Sequence, residues 1–152
     1  MSTLLASPSM TDAPRSMETW ATLHRAHARV LGALSRRMEA ERDVSVIEHG
    51  CLYELSSSVQ RTLRMADLAE RLGMSPSALT RLIDRLEERG WVRRETPPGN
   101  RRAFHVILTT DGRRAYVRNN RLFTQAVEDL IAERLSDEQM RDLVRLLDRL
   151  NR

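Results

Sequence analysis

The chain has 152 residues, a length that one folded domain ordinarily has. Hydrophobic residues make up 41% and charged residues 30%, which is typical of a globular protein rather than a disordered one. No apolar run is long enough to cross a bilayer and the first residues do not resemble a secretory signal. The single cysteine, Cys51, excludes an internal disulfide. We therefore expect a cytoplasmic protein without a membrane partner.

The basic residues are concentrated in the middle of the chain. All 25 are arginine, and the net charge is +4. Residues 61–121 hold 14 arginines against 7 acidic residues, a net charge of +7, whereas residues 1–60 and 122–152 carry −1 and −2. A basic segment between near-neutral ends is typical of a surface that binds a polyanion such as nucleic acid. A solvated arginine surface without a partner is the alternative.

The N-terminal part predicts a tail and two helices. Residues 1–15 are small and polar without a period and predict a mobile tail. Apolar residues at helical spacing over 20–38 predict an amphipathic helix that either is capped by Thr19 or begins one turn earlier. A shorter stripe over 44–55 predicts a second helix, and the serines at 56–58 indicate the loop that follows it.

The next segment predicts two helices joined by a short turn. Residues 65–72 form a two-turn apolar pattern that Gly73 ends. Ser75 then supplies an N-cap and Pro76 the first helical residue, and leucine and isoleucine follow at i, i+3, i+4 and i+7 until Gly90. This order is typical of a helix-turn-helix unit.

The period then changes from helical to alternating. Residues 91–95 and 103–108 predict paired strands, with the turn-rich residues 96–102 between them. A hairpin with a basic tip directly after a helix-turn-helix is a wing. The segment Thr109-Thr110-Asp111 caps a long helix in which Gly112, in the first turn, is expected to do little harm.

A final helix begins at Ser136, with Gln139 at the capping-box position. A winged helix-turn-helix does not need the apolar residues of the terminal helices to cover its own core, so we predict that they pair with a second copy of the chain. In the last helix these residues are Met140, Leu143, Val144, Leu147 and Leu150.

Residues 63–94, LRMADLAERLGMSPSALTRLIDRLEERGWVRR, closely resemble the core of MarR-family transcriptional regulators. Arg102, followed by Val106-x-Leu108-Thr109-x-x-Gly112, matches the junction between wing and helix in that family. The resemblance implies a mainly α-helical dimer that binds palindromic operators, usually as a repressor, and that small ligands often release from DNA.

The resemblance covers about residues 17–150, and this chain departs from the family pattern at two places. In the wing, the family usually has Asp-x-Arg, whereas this chain has Asn100-Arg101-Arg102. In the second helix, the family usually has an aromatic residue at the position of His49.

The resemblance also implies the fold and its parts. The expected fold is a winged helix-turn-helix with a small β-hairpin wing, and the N- and C-terminal helices form a dimerisation region. The expected parts are a disordered tail (1–15), an N-terminal dimerisation helix (16–42), the DNA-binding region (43–109) and C-terminal dimerisation helices (110–152).

The DNA-contact candidates follow from the docking geometry of such units. The polar face of the recognition helix meets base edges, an arginine there can grip guanine with two parallel donors, and wing arginines fit a narrow minor groove. A solvated helix face is the alternative. The candidates are Ser75, Ser77, Ala78, Thr80, Arg81 and Arg85 on the recognition helix, Arg64 and Arg94 beside it, and Arg101 and Arg102 on the wing.

Aromatic and imidazole side chains on the first two helices suggest an effector site. They are Trp20, His24, His27, His49 and Tyr53. Together they would suit a small aromatic or anionic ligand, although the same residues could simply fill the dimer core. The three histidines could also share a metal ion, but no nearby cysteine or acidic spacing supports this, so we expect no metal and no cofactor.

The leading interpretation is a ligand-responsive repressor that binds a palindromic operator as a homodimer. An activator or anti-repressor with the same DNA-binding mode remains open, and so does a sequence-independent architectural DNA-binding protein. An enzyme is not expected, because the sequence has no nucleophile–base pair, metal motif or phosphate-binding loop.

Overall fold

The computed structural model describes residues 14–42, 44–96 and 104–151. These residues form helices and one small antiparallel sheet, which confirms the predicted fold class. The chain divides into two compact units, residues 1–33 and 34–152. The helices are α1 (Arg15–Arg42), α2 (Val46–Ser57), α3 (Met65–Arg71), α4 (Pro76–Glu88), α5 (Thr110–Val127) and α6 (Asp137–Leu150), and the strands are β1 (Thr62–Arg64), β2 (Val92–Glu95) and β3 (His105–Leu108).

The first unit holds the N-terminal part of α1. This helix begins at Arg15, so Thr19 lies inside it, and the Thr19 hydroxyl donates a hydrogen bond to the Arg15 carbonyl at 2.8 Å. Of the two predicted starts, the structure therefore has the one a turn before Thr19, and Thr19 is not the cap. Most of the predicted tail, residues 1–13, lies outside the described residues.

The helix-turn-helix forms where the sequence predicts it, because its capping signals act locally. α3 and α4 both end in a glycine with positive φ, 61° at Gly73 and 69° at Gly90. In each case the next residue reaches back across the turn, with the Met74 N–H bonded to the Ala69 carbonyl and the Trp91 N–H to the Leu86 carbonyl, both at 2.9 Å. These bonds satisfy carbonyls that a helix end leaves without partners.

The sheet has the strand order β1-β3-β2, with both neighbouring pairs antiparallel. The hairpin of β2 and β3 confirms the predicted strand pair, whereas β1 is a strand that the sequence pattern did not reveal. Leu63 lies opposite Val106, and Val92 lies opposite Leu108. The tip of the predicted wing, residues 97–103, lies outside the described residues.

One apolar core unites α2, α3, α4 and the sheet. Burial of leucine and isoleucine side chains at helical spacing holds the recognition helix α4 against this core, which leaves its opposite face in solvent. The largest buried side chains of the cluster are Leu52, Leu55, Leu68, Leu79, Leu82, Ile83, Leu86, Val92 and Val106.

Gly112 has a structural role that the sequence prediction missed. A Cβ atom at this position would lie 1.9 Å from the Trp91 carbonyl oxygen and 2.8 Å from Leu108 Cδ1. The first turn of α5 therefore packs directly on the turn between α4 and β2. Thr109 fastens the same junction, because its hydroxyl donates to the Gly90 carbonyl at 2.7 Å and also caps Gly112. The expectation that Gly112 does little harm understated its importance.

The C-terminal helices differ from the others in exposure. α5 continues into a wider π-type turn over Glu128–Ala132, and α6 begins with the predicted capping box of Ser136 and Gln139. α6 contains no buried residue, and its apolar side chains include Val144 with 57% and Leu150 with 70% exposure. Among the described residues, no helix is long and apolar enough to span a membrane. The cytoplasmic location stays a prediction.

Candidate nucleic-acid interface

The face of α4 opposite the core is polar and exposed. Ser77, Thr80, Arg81, Asp84 and Arg85 all lie there, on the side away from the buried leucines. This is the face that the sequence assigned to DNA. Its position results from the amphipathic pattern of the helix, since burial of one side forces the other outward.

The N-terminal end of α4 offers donors and a positive helix end. The Ser75 hydroxyl oxygen accepts a hydrogen bond from the Ala78 N–H at 3.3 Å, and the Ser75 and Ser77 hydroxyl oxygens lie 3.3 Å apart. The Thr80 hydroxyl donates within the helix to the Pro76 carbonyl at 2.9 Å. Unsatisfied N–H groups and the helix dipole favour an anion such as phosphate at this end.

Arg81 is the arginine on this face that has no partner among the residues that the structure describes. Its side chain is exposed, and within the described ranges it makes neither an ion pair nor a hydrogen bond. All five N–H donors of its guanidinium are therefore available for an external acceptor.

Arg85, by contrast, lies near an acceptor on another helix. Its Nε is 3.7 Å from Oε1 of Glu48, and Nη1 of Arg89 is 3.6 Å from Oε2 of the same carboxylate. Glu48 is buried at the start of α2, where it also accepts from the Ser45 N–H at 2.9 Å. The Arg89 guanidinium also lies 3.8 Å above the Trp91 ring. Glu48 thus connects α2 to the end of α4, a role that the sequence analysis did not assign.

Arg94 is held by the recognition helix and is not free for phosphate. Its side chain is only 25% exposed, and its guanidinium contacts Glu87, Asp84 and the Thr80 carbonyl. Two carboxylates oppose one guanidinium here, so the group presents no net positive charge to a DNA backbone. These contacts do not favour the assignment of Arg94 as a phosphate contact, which stays a prediction.

For the remaining arginines of the predicted set, the structure describes no side-chain contact that bears on DNA binding. Arg64 is exposed at the end of β1, where it precedes α3 without a side-chain capping bond. Arg101 and Arg102 lie outside the described residues. All three stay predictions.

The predicted effector residues on α1 are solvent-exposed. Trp20 is exposed and stacks on His24 with 5.8 Å between the ring centroids, and His27 is exposed as well. On α2, Tyr53 is exposed and its ring is tilted against Tyr116 at 6.4 Å.

His49 is a core residue in this structure, and its assignment as a ligand contact stays a prediction. It is 2% exposed, and its ring stacks on Phe123 at 4.3 Å and on Tyr116 at 5.6 Å. Burial lowers the pKa of His49 from 6.5 to about 4, so the ring is neutral at neutral pH. Its Nδ1 has no hydrogen-bond partner.

Asn119 is a second buried polar group, and the sequence analysis did not identify it. It lies on α5 between Tyr116 and Phe123 in sequence, and both polar atoms of its amide are buried without a partner. The available signal was one polar residue within an aromatic stripe. Cys51 is also buried, and burial, together with Glu48 and Glu54, raises the pKa of its thiol to about 12.

The histidines do not assemble into a metal site in the parts of the chain that the structure describes. There, no group of three histidine, cysteine, aspartate or glutamate residues could hold a metal ion. The expectation that the protein needs no metal stays a prediction.

Sequence comparison identifies the family. Residues 42–103 match the model of the MarR family. The HTH-type transcriptional repressor Mb2911 of Mycobacterium bovis is 30% identical over 103 residues, which are 68% of this chain and 72% of that protein. The chain belongs to the MarR family. The resemblance of residues 63–94 is thereby confirmed.

Structural comparison confirms the MarR-family fold. Sco3205 of Streptomyces coelicolor, a MarR family transcriptional regulator solved in complex with DNA, is 28% identical with a TM-score of 0.84, and the match covers 91% of this chain and 87% of that chain. AbsC, another MarR family regulator of the same organism, has a TM-score of 0.83 at 23% identity, with 95% of this chain and 96% of that chain covered.

Other MarR-type relatives match over a shorter segment. The transcriptional repressor MprA of Escherichia coli is 36% identical over 61 residues, which are 40% of this chain and 35% of that protein. The chain thus spans about a third of the length of the first curated relatives it matches. These relatives are transcriptional regulators, which supports the expectation that the chain is not an enzyme.

Proposed function

We propose that this chain is a homodimeric, ligand-responsive transcriptional repressor that binds a palindromic operator. The observation that carries the proposal is the exposed polar face of α4 with the unpartnered Arg81 guanidinium. The regulator Sco3205, to which the chain is similar, was solved in complex with DNA, which supports the same partner here.

In the proposed complex, α4 lies in the major groove with its N-terminal end nearest the bases. Arg81 would donate two parallel hydrogen bonds to guanine O6 and N7, which is the most common specific contact of this geometry. Ser75, Ser77 and Thr80 would bond phosphates or base edges, and Ala78 would pack against the edge of a base.

The other predicted contacts are to the DNA backbone and the minor groove. Arg64 and Arg85 are proposed phosphate contacts, and Arg85 would turn from Glu48 toward the DNA. Arg101 and Arg102 are proposed to enter the minor groove, where a narrow groove concentrates negative potential.

We propose that the terminal helices form the homodimer. The apolar side chains of α6 are exposed in the single chain, and a second copy would bury them. A two-fold dimer presents two copies of α4 and therefore binds two half-sites related by the same symmetry, about 10 bp apart from centre to centre. This assignment gives residues 16–42 and 110–152 to dimerisation and 43–109 to DNA binding.

The proposed effector is a small aromatic or anionic molecule. The stacked Trp20 and His24 rings and the nearby His27 offer an aromatic and imidazole surface on α1, and Tyr53 offers a ring and a hydroxyl on α2. A screen of phenolic and carboxylate compounds by thermal shift and DNA release, with Trp20→Ala and Tyr53→Ala tested separately, checks this. If no compound alters DNA binding, the ligand response is wrong.

The decisive experiment for the function is selection of bound fragments from the organism's own genomic DNA, followed by binding to the recovered duplex. Arg81→Ala should weaken binding by about 1–3 kcal/mol and relax specificity at one base pair in each half-site. Arg114→Ala is the matched control, since Arg114 is exposed on α5 and pairs only with Asp111 at 3.1 Å. No enriched sequence, or equal affinity for all duplexes, would contradict a sequence-specific regulator.

A further inference from the structure

We propose that Arg94 is a positioning residue that fixes the wing to the recognition helix, so that the two parts contact DNA in one fixed relation. Here the recognition helix is α4, and the wing is β2, β3 and the residues between them. The inference rests on the proposed function, because it concerns how that DNA-binding surface is held in shape.

The contacts form a clamp between β2 and one side of the recognition helix. The backbone N–H of Arg94 donates to Glu87 Oε1 at 2.9 Å, and Nη1 donates to Glu87 Oε2 at 2.6 Å. Nη2 donates to Asp84 Oδ1 at 2.5 Å and to the Thr80 carbonyl at 3.2 Å. Main chain and side chain of one strand residue are therefore held by the same helix.

The three acceptors lie on one stripe of the helix. Thr80, Asp84 and Glu87 follow the i, i+4, i+7 spacing, so they face the same direction over about two turns. A planar guanidinium with donors in a fixed fork matches such a row of acceptors, whereas an ammonium group offers one compact charge. The clamp therefore defines both the distance and the rotation of β2 relative to the helix.

The charge balance argues against a direct role on phosphate. Arg94 faces two carboxylates, so the cluster carries one net negative charge. Its side chain is 25% exposed, whereas that of Arg93, the preceding residue in the same strand, is 57% exposed. Loss of Arg94 would therefore weaken DNA binding through geometry and not through a missing phosphate contact.

The consequence concerns two grooves at once. The recognition helix and the wing are proposed to enter neighbouring grooves, and their spacing must match that of the duplex. The wing strands are short, and β2 is at one edge of the sheet. Without the clamp, wing and helix would each bind but would do so with a lower combined affinity.

The test uses the full chain and the duplex recovered by genomic selection. Affinities of wild type, Arg94→Gln, Arg94→Lys and the control Arg114→Gln are measured over a series of salt concentrations. We expect both Arg94 variants to bind about tenfold more weakly, a size typical of coupling between parts of one protein. The slope of log K against log salt should stay that of wild type. A slope smaller by about 0.9 per subunit, which is about 1.8 for the dimer, would show one lost phosphate contact in each subunit and would overturn the proposal.

Two further variants separate positioning from simple neutralisation of charge. The triple variant Asp84→Asn, Glu87→Gln, Arg94→Gln has no unpaired carboxylate in the clamp, and we expect it to stay weak. Recovery of wild-type affinity would mean that Arg94 only neutralises its neighbours, which overturns the proposal. Thermal unfolding of each variant monitors the fold, and Arg94→Lys carries the test if Arg94→Gln fails to fold.

A double-mutant cycle with the wing tip tests the direction of the effect. If Arg94 acts through the wing, Arg94→Gln should cost less affinity in the Arg102→Ala background than in wild type. Equal losses in both backgrounds, including the case in which Arg102→Ala has no effect, would overturn the proposal. Failure of the proposed function is distinguishable, because the wild-type chain itself would then select no duplex.

Discussion

Gly112 allows the first turn of α5 to pack closely on the turn before β2, because it has no Cβ atom. A Cβ atom there would lie 1.9 Å from the Trp91 carbonyl oxygen, which is backbone and cannot rotate away. Gly112→Ala should therefore lower the free energy of unfolding by about 3 kcal/mol, at the upper end of the usual cost of overpacking. Chemical denaturation followed by circular dichroism measures this change.

Gly50 provides the matched control for that substitution. It lies inside α2, and the nearest atom to a Cβ at this position is Leu72 Cδ2 at 3.7 Å, an ordinary contact distance. Gly50→Ala should leave stability unchanged or raise it by up to about 1 kcal/mol, because alanine favours helix more than glycine does. Equal effects of the two substitutions would show that the close approach at Gly112 does not matter.

His49 should make stability depend on pH over a defined range. Its pKa is lowered from 6.5 to about 4 by burial, so the unfolded chain binds more protons than the folded chain between these values. The free energy of unfolding should decrease as the pH falls from about 6.5 toward 4. His49→Phe, which places an aromatic ring in the same stack, should remove that part of the slope.

Asp129→Asn is the control for the effect of His49→Phe on the pH dependence of stability. Hydrogen bonds from Gln125 and Arg37 lower the pKa of Asp129 below 3.8, so its contribution is present above that pH and is lost as the pH falls further. The variant should keep the slope between pH 6.5 and 4. Urea denaturation at a series of pH values measures the slope. If His49→Phe also keeps the full slope of unfolding free energy against pH, the burial of a neutral His49 does not cause that slope.

Local signals at the residue scale were predictable, and long-range pairs were not. Ser75, Gly73 and Gly90 act through bonds to residues within a few positions, so their roles could be inferred from the sequence. Arg94 and Glu48 acquire their partners only when strand and helices come together. In the sequence, an arginine in a clamp cannot be distinguished from an arginine that contacts phosphate.

At the scale of elements, the helices and the hairpin followed from periodicity, and β1 did not. β1 has three residues, which is too short for an alternating pattern to emerge. It exists because its backbone pairs with β3, with Leu63 opposite Val106. A strand defined by its partner rather than by its own composition is outside the reach of pattern analysis.

The link between α2 and the end of α4 gives a prediction at this scale. Glu48 is the common ion-pair partner of Arg85 and Arg89, and it also completes the capping box with Ser45. Glu48→Gln keeps an oxygen for the cap but removes the charge that attracts both arginines. The free energy of unfolding should fall by about 1 kcal/mol, the order of magnitude of one net polar interaction in a folded protein. Thermal and urea denaturation measure the loss.

Glu54 offers a control on the same helix. It pairs with Arg71 at 3.1 Å, and the Arg71 side chain is half exposed. A pair of this kind contributes little, so Glu54→Gln should change stability by less than about 0.5 kcal/mol. A larger loss at Glu54 than at Glu48 would show that the Glu48 link does not hold α4 in place.

At the scale of the whole molecule, charge distribution and amphipathic faces together indicated the function class. The basic segment of residues 61–121 contains the helix-turn-helix and both described wing strands. The dimer could be inferred only from apolar residues that the winged helix-turn-helix does not need for its own core. The sequence of one chain does not show which surface buries them. The effector is less defined still, because one of its five predicted residues, His49, is enclosed in the core.

The dimer gives the prediction for the whole assembly. Val144 lies on the apolar side of α6, and its side chain is exposed in the single chain. Val144→Arg would place a charge in the proposed interface without a partner, which is costly to bury. Sedimentation velocity at low micromolar concentration should show a dimer for wild type and a monomer for the variant. Because the two half-sites would then be bound separately, affinity for the full palindrome should fall to that for one half-site.

Glu138→Arg introduces the same residue on the side of α6 opposite its apolar stripe, where Glu138 is exposed, and this variant should remain dimeric. Deletion of residues 135–152 removes the part of the interface that α6 supplies and should abolish the dimer or the fold, since large apolar interfaces resemble a domain core cut in half. A monomeric wild type, or a Val144→Arg variant that stays dimeric with unchanged affinity for the palindrome, would show that α6 does not form the interface. The exposed leucines of α6 would then not be interface residues, and a monomeric wild type would also leave a two-fold operator without a structural reason.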